Sequence, residues 1–214
     1  MVLLIEFLLK QIMIYFAWLT KLIEMNEFSL WFFTGIQHIC DLKAYDHICY
    51  VLVLCIPFPL KEWKKLLLAV TAFTIGHSLT LLLSVTEIIQ PPSYLIEILI
   101  PLTIIFSSIT NIVNRKNNHS SLTANYVAAL LFGFIHGMGF SYLLKSMLGI
   151  NESLLFPLFS FNLGIEIGQL IIVATTLVLI VILTKLFYVK RADYIFFTST
   201  AIFGIALMLF LERL

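Results

Sequence analysis

Apolar residues run along this chain in long blocks, each closed by a short polar stop. The blocks are residues 44–60, 63–86, 93–113, 122–148, 154–186 and 192–212. At about 1.5 Å per residue, each is of the order needed to cross a hydrocarbon layer of about 30 Å as a helix. The stops carry helix-ending chemistry: Pro57 and Pro59, the Pro91-Pro92 pair, and Asn117-Asn118 before Ser120-Ser121. The pattern predicts an all-α fold, a polytopic transmembrane helical bundle with six core spans.

Two N-terminal pieces fit less simply. Residues 1–24 are apolar but carry Glu6, Lys10, Lys21 and Glu24. A cleaved secretory signal needs a basic start and a small-residue cleavage site, and "MVLLIEFLL" has neither. The segment is expected to be retained, as a seventh, peripheral span or as an interfacial helix. Residues 28–42 are too short and too polar at their end to span; they read as a half-helix or re-entrant piece. The domain reading is therefore an N-terminal hydrophobic helix over 1–27 and one transmembrane domain over 28–214.

Composition narrows the function classes. The 214 residues are 61% hydrophobic and 12% charged, which leaves no stretch for a soluble domain. The partner this implies is the lipid bilayer. Net charge is +1 and no basic stripe exists, so a nucleic-acid partner is excluded. Cys40, Cys49 and Cys55 form no CxxC pair and read as small core residues. A homo-oligomer stays open.

Charge sets the orientation. Lys61, Lys64 and Lys65, then Arg115 and Lys116, then Lys185, Lys190 and Arg191 fall in alternate loops. The remaining loops hold mainly Glu87, Glu152 and Lys145. The positive-inside rule makes the first set cytoplasmic. The stretch "HICDLKAYDH", residues 38–47, is then expected at the outer end of the first span.

With that orientation the polar residues gather at one depth. His38, His47, His77 and His136 lie in or beside spans, while His119 lies in a polar loop and receives no role. Glu97, Asn162 and Glu166 also fall in the outer half. An ionisable side chain inside a bilayer costs roughly 2.5–3.5 kcal/mol on insertion scales, so several at one level point to a common cavity. Asn162, Glu166 and Gln169 share one helix face, and Thr74, His77 and Ser78 share another. Gly133/Gly137 and Gly164/Gly168 have the spacing that lets neighbouring helices approach closely. On a straight helix His38 and His47 point about 180° apart, so a break near Asp41 to Ala44 is needed to bring them together.

Imidazole plus carboxylate without thiolate suits a borderline divalent ion: Ni, Co or Zn. Asp46, adjacent to His47, can ligate or fix the ring through its second nitrogen. No HExxH, GxSxG, P-loop or Rossmann glycine pattern occurs, so ATP-driven transport by this chain alone is not expected.

The same stretches resemble the HupE/UreJ family of bacterial membrane proteins. They are "FTGIQHICDLKAYDHICYVLVLC", "LLAVTAFTIGHSLTLLLS", "LIEILIPLTIIFSSITN", "ALLFGFIHGMGFSYLL" and "FNLGIEIGQLIIV", in the family's order. The resemblance implies a six-span core and a secondary nickel or cobalt permease of the bacterial inner membrane, serving hydrogenase or urease. It implies that His38, Asp46 and His47 form the first metal-binding motif, with His77, His136 and Glu166 as further metal positions. Asn162, Gln169, Ser78 and Glu97 are supporting polar residues. Ala44 departs from the family pattern, which has glycine there, and residues 1–24 precede the family core.

A transporter is thus the first reading. The rival is an enzyme, a membrane-embedded zinc hydrolase acting on a lipid or peptide, in which three imidazoles, a carboxylate and Ser78 activate water. A carrier needs polar groups or a switchable path toward the cytoplasm; a hydrolase needs only a lateral opening to lipid.

Overall fold

The computed structural model describes residues 10, 11, 13, 14, 27–42, 45–116, 122–147 and 154–214. Most of the 1–24 segment, with Ala44, His119 and Glu152, lies outside the described residues. The helices are α1 (Glu27–Cys40), α2 (Asp46–Cys55), α3 (Trp63–Val85), α4 (Ser93–Asn114), α5 (Leu122–Met147), α6 (Leu155–Val181) and α7 (Arg191–Glu212). All regular structure among the described residues is helical. Among the described residues, four stretches are long and apolar enough to cross a membrane: Leu60–Val85, Ser93–Asn114, Leu155–Leu186 and Arg191–Glu212. The 26-residue α5 packs along α3.

The first passage differs from the expected 44–60 span. Only Asp46–Cys55 is α-helical there, 10 residues, or about 15 Å of rise. The preceding α1 has 14 residues, about 21 Å. Neither crosses alone, and together they make one interrupted passage. Helix α1 runs beside α6 in the same direction: Phe28 meets Phe156, Gly164 meets Phe32 and Ile36, and Gly168 meets Ile39. Helix α2 then continues to the far end, where Asn111 Nδ2 donates to the Val53 carbonyl (2.7 Å) and Arg191 to that of Pro57 (2.6 Å). The "HICDLKAYDH" stretch therefore lies at mid-depth, between two half-helices, and not at the outer mouth of a span. Hydropathy misplaced it because a short helix sealed inside a bundle is as apolar as one facing lipid. Every residue from Asp46 to Val53 is buried.

The two ends carry different charge. Arg115, Lys116, Lys190 and Arg191 gather at one end, where Arg191 also donates to the Arg115 carbonyl (3.4 Å), and Lys61, Lys64 and Lys65 enter α3 from the same side. At the other end Lys145 pairs with Glu87, and Arg213 donates to the Glu97 carbonyl (3.0 Å). By the positive-inside rule the first end is expected to be cytoplasmic and the second outer, and the two ends are named so below.

One packing pattern occurs twice. A Cβ at Gly35 would overlap the Phe161 carbonyl and crowd the Ile165 amide; a Cβ at Gly133 would do the same to Phe73 and His77. In return, Gly164 rests on Phe32 and Ile36, and Gly76 rests on Leu130 and Phe134. The α1/α6 pair thus repeats as the α5/α3 pair, residue for residue. Each pair is parallel, but α1 and α6 start at the outer end, whereas α5 and α3 start at the cytoplasmic end. The third members, α4 and α7, pack on each other. The chain from α1 to α4 and the chain from α5 to α7 are two inverted halves, the arrangement on which many secondary transporters are built.

Candidate metal site

The close crossings set the histidines. With no side chain at Gly133 and Gly137, the α5 backbone lies on the α3 backbone at Phe73 and His77. His77 and His136 are held between them, both 0% exposed. His38 occupies the last turn of α1 and His47 the first turn of α2, so the interruption turns both rings into the same space. Ring centres lie 4.6 Å apart for His38–His47, 5.9 Å for His38–His77, 6.2 Å for His47–His77 and 5.2 Å for His47–His136. The repeat shows again here: His38 packs on Phe161 at 5.7 Å as His136 packs on Phe73 at 5.3 Å.

The donor atoms fit an ion. One ring nitrogen each from His38, His47 and His77 lie within 4.8 Å of one another. Ligand bonds of about 2.1 Å in tetrahedral geometry need a spacing of about 3.4 Å, so modest side-chain rotation closes the set. Buried nitrogens normally find a partner. Here His38 Nε2, His47 Nε2, both nitrogens of His77 and His136 Nδ1 are buried and have no hydrogen-bond partner among the described residues. Asp46 adds a carboxylate: its Oδ1 accepts the His47 amide (2.9 Å) and lies 3.0 Å from His47 Nδ1. Thr103 fixes the fourth ring. Its hydroxyl donates to the Ile100 carbonyl (2.7 Å), so at 3.2 Å it accepts from His136 Nε2, which leaves the lone pair on Nδ1.

A cavity of about 590 Å³ connects this cluster to the outer end. Asp46, His38, His47 and His136 stand at its floor, and Glu97 and Arg213 near its mouth. Toward the cytoplasm the cluster is closed by Tyr50, stacked on Phe73 (4.8 Å) and edge-on to Phe132 (5.8 Å). Below this aromatic layer a smaller cavity of about 70 Å³ is lined by Ser107, Thr110, Asn111 and Asn125 among others.

Glu166 lies elsewhere. It faces a separate cavity between α3 and α6, with Asn162 and Ser78. Thr71 donates to its Oε1 (2.8 Å), and the Thr74 hydroxyl lies against both its Oε2 and Gln169 Oε1. Thus His38, Asp46, His47, His77 and His136 come together, while Glu166, Asn162, Gln169 and Ser78 form a second polar cluster beside them. Arg213, Thr103 and Tyr50 escaped the sequence reading. An arginine at a span's end, a threonine in an apolar run and a core tyrosine carry no local signal.

A family model described as HupE / UreJ protein matches residues 17–213. The chain belongs to the HupE/UreJ family. No curated protein and no solved structure matches it. As a HupE/UreJ protein with four apolar membrane-length helices, it is a multi-pass membrane protein.

Proposed function

We propose that this HupE/UreJ protein is a secondary permease that carries a divalent transition-metal ion, nickel or cobalt, across the bacterial inner membrane. The observation that carries this reading is the set of unpartnered imidazole nitrogens at the floor of an outward-opening cavity, where a helix is interrupted. His38, His47, His77 and His136 supply neutral nitrogen donors, Asp46 a negative charge, and the outer cavity a route in. The inverted halves supply a means of release. Exchanging their two conformations would close the outer cavity and open the cytoplasmic side, without an energy-transducing domain. The polar residues beneath Tyr50 give the ion a path onward.

The hydrolase reading would need the histidines to meet a lateral opening to lipid. The cavity at the histidines runs to the outer end, and the α3/α6 cavity is lined by Glu166 and not by any histidine. The deciding experiment is titration of the purified full chain with Co²⁺, followed by its absorption spectrum, together with nickel and cobalt uptake by cells with and without the protein. Failure to bind at micromolar concentration removes the main support. Zinc held through purification with no change in uptake would put the hydrolase in its place.

A further inference from the structure

We propose that Arg213 is the resident counter-ion of Asp46 in the ion-free protein, and that an incoming divalent cation displaces it. The inference rests on the permease reading and adds a selectivity residue to it.

Asp46 is 7% exposed, and only one of its oxygens is used by its own helix. Oδ1 faces His47. Oδ2 faces the cavity, where Arg213 Nη2 stands 3.5 Å away. The other arm of the fork, Nη1, donates to the Glu97 carbonyl at 3.0 Å, which parks the guanidinium over the cavity floor. The contact is long for an ion pair, and the arginine side chain remains 25% exposed. The guanidinium is therefore a charge in place and free to leave.

Its position gives it a function. A buried carboxylate without a counter-charge is costly, so the ion-free site needs a cation. A guanidinium supplies one charge and cannot lose its proton. A monovalent ion entering in its stead exchanges one charge for one and gains little. A doubly charged ion gains the difference and also finds the imidazole nitrogens, which a guanidinium, having only donors, cannot use. Arg213 thereby sets a threshold that only a divalent, nitrogen-seeking ion passes.

The test is Co²⁺ titration of the full chain in detergent, read by absorption and not by transport. Arg213→Gln should bind Co²⁺ about tenfold more tightly than wild type. Arg213→Met removes the same charge with a side chain that cannot donate to Asp46 and should match it. In the Asp46→Asn background the same change should alter affinity less than about twofold, because the partner charge is already gone. Equal or weaker binding by both variants overturns the inference. So does a tightening of the same size in the Asp46→Asn background, which would make Arg213 a general field and not this residue's counter-ion. A wild type that binds no Co²⁺ overturns the permease reading and this inference together; a wild type that binds, with variants that bind no better, overturns the inference alone.

Discussion

The rings of His38 and His47 stand 4.6 Å apart, centre to centre, across the interruption between α1 and α2. One closes a half-helix that descends from the outer face, and the other opens a half-helix that continues to the cytoplasmic face. Any ion held between them is held by the break itself. Loss of either imidazole, or of His77, should therefore lower Co²⁺ affinity by about 100-fold or more, as expected for removal of a first ligand where outer partners alone cost 10–100-fold. The variants should keep their helical content, because each ring sits in a cavity or among other rings and holds no helix end. Titration beside circular dichroism checks both. A His77→Ala protein that binds as wild type would sink the site.

Proton competition gives a second expectation. An imidazole ligates only when neutral, so metal binding releases no proton at high pH and must displace one at low pH. Affinity should weaken as the medium acidifies through about pH 6.5, the unperturbed histidine value. The sign is the informative part: affinity that rises on acidification would argue against nitrogen ligation. Asp46→Asn should lower affinity across the whole range while leaving this slope in place.

Glu166 separates two readings of the sequence. It shares no cavity with the histidines and is held by Thr71 and Thr74. Glu166→Gln should leave Co²⁺ affinity within about twofold of wild type, because sites without shared partners act nearly independently. A loss comparable to that of His77→Ala would return Glu166 to the ligand set.

That separation marks how far the sequence could be read. The helical class, the basic end and the close-packing glycines all follow from local residue chemistry, and the structure bears them out. The break expected near Asp41 to Ala44 was legible as well, because His38 and His47 cannot meet on a straight helix, and α1 ends at Cys40 while α2 begins at Asp46. Depth was not. Apolar runs do not say whether a helix faces lipid or core, so the pattern over 44–60 suggests a span with "HICDLKAYDH" at its mouth, where the structure has a 10-residue half-helix with that stretch at mid-depth. Lateral position was not legible either: Glu166 packs on α3 at Thr71 and Thr74, close along the helix to His77, but opens to a different cavity. The inverted repeat leaves only faint traces, such as the glycine and histidine shared by "GIQH" and "GFIH", and it emerges only when the contacts at Gly35 and Gly133 are set side by side.

The repeat makes the last prediction. If the halves exchange conformations during transport, the partner of α1 must interrupt where α1 does. That partner is α5, and the matching of Gly35 to Gly133 puts the place just beyond Met138, from Gly139 to Leu143. Two glycines beside it differ in what they do. A Cβ at Gly137 would overlap the His77 carbonyl oxygen, a backbone atom, so Gly137→Ala should destabilise the protein by about 1–3 kcal/mol through overpacking. A Cβ at Gly139 meets only the side-chain ends of Ile100 at 3.1 Å and Ile96 at 3.6 Å, which can move. Gly139→Ala is therefore tolerated in the outward-open state. It also favours continuous helix by about 1 kcal/mol over glycine. Co²⁺ affinity and thermal stability should stay at or above wild-type values, while transport into proteoliposomes should slow about fivefold, the rate equivalent of that stiffening. Undiminished transport by Gly139→Ala would mean that α5 stays whole through the cycle and that the inverted halves do not exchange.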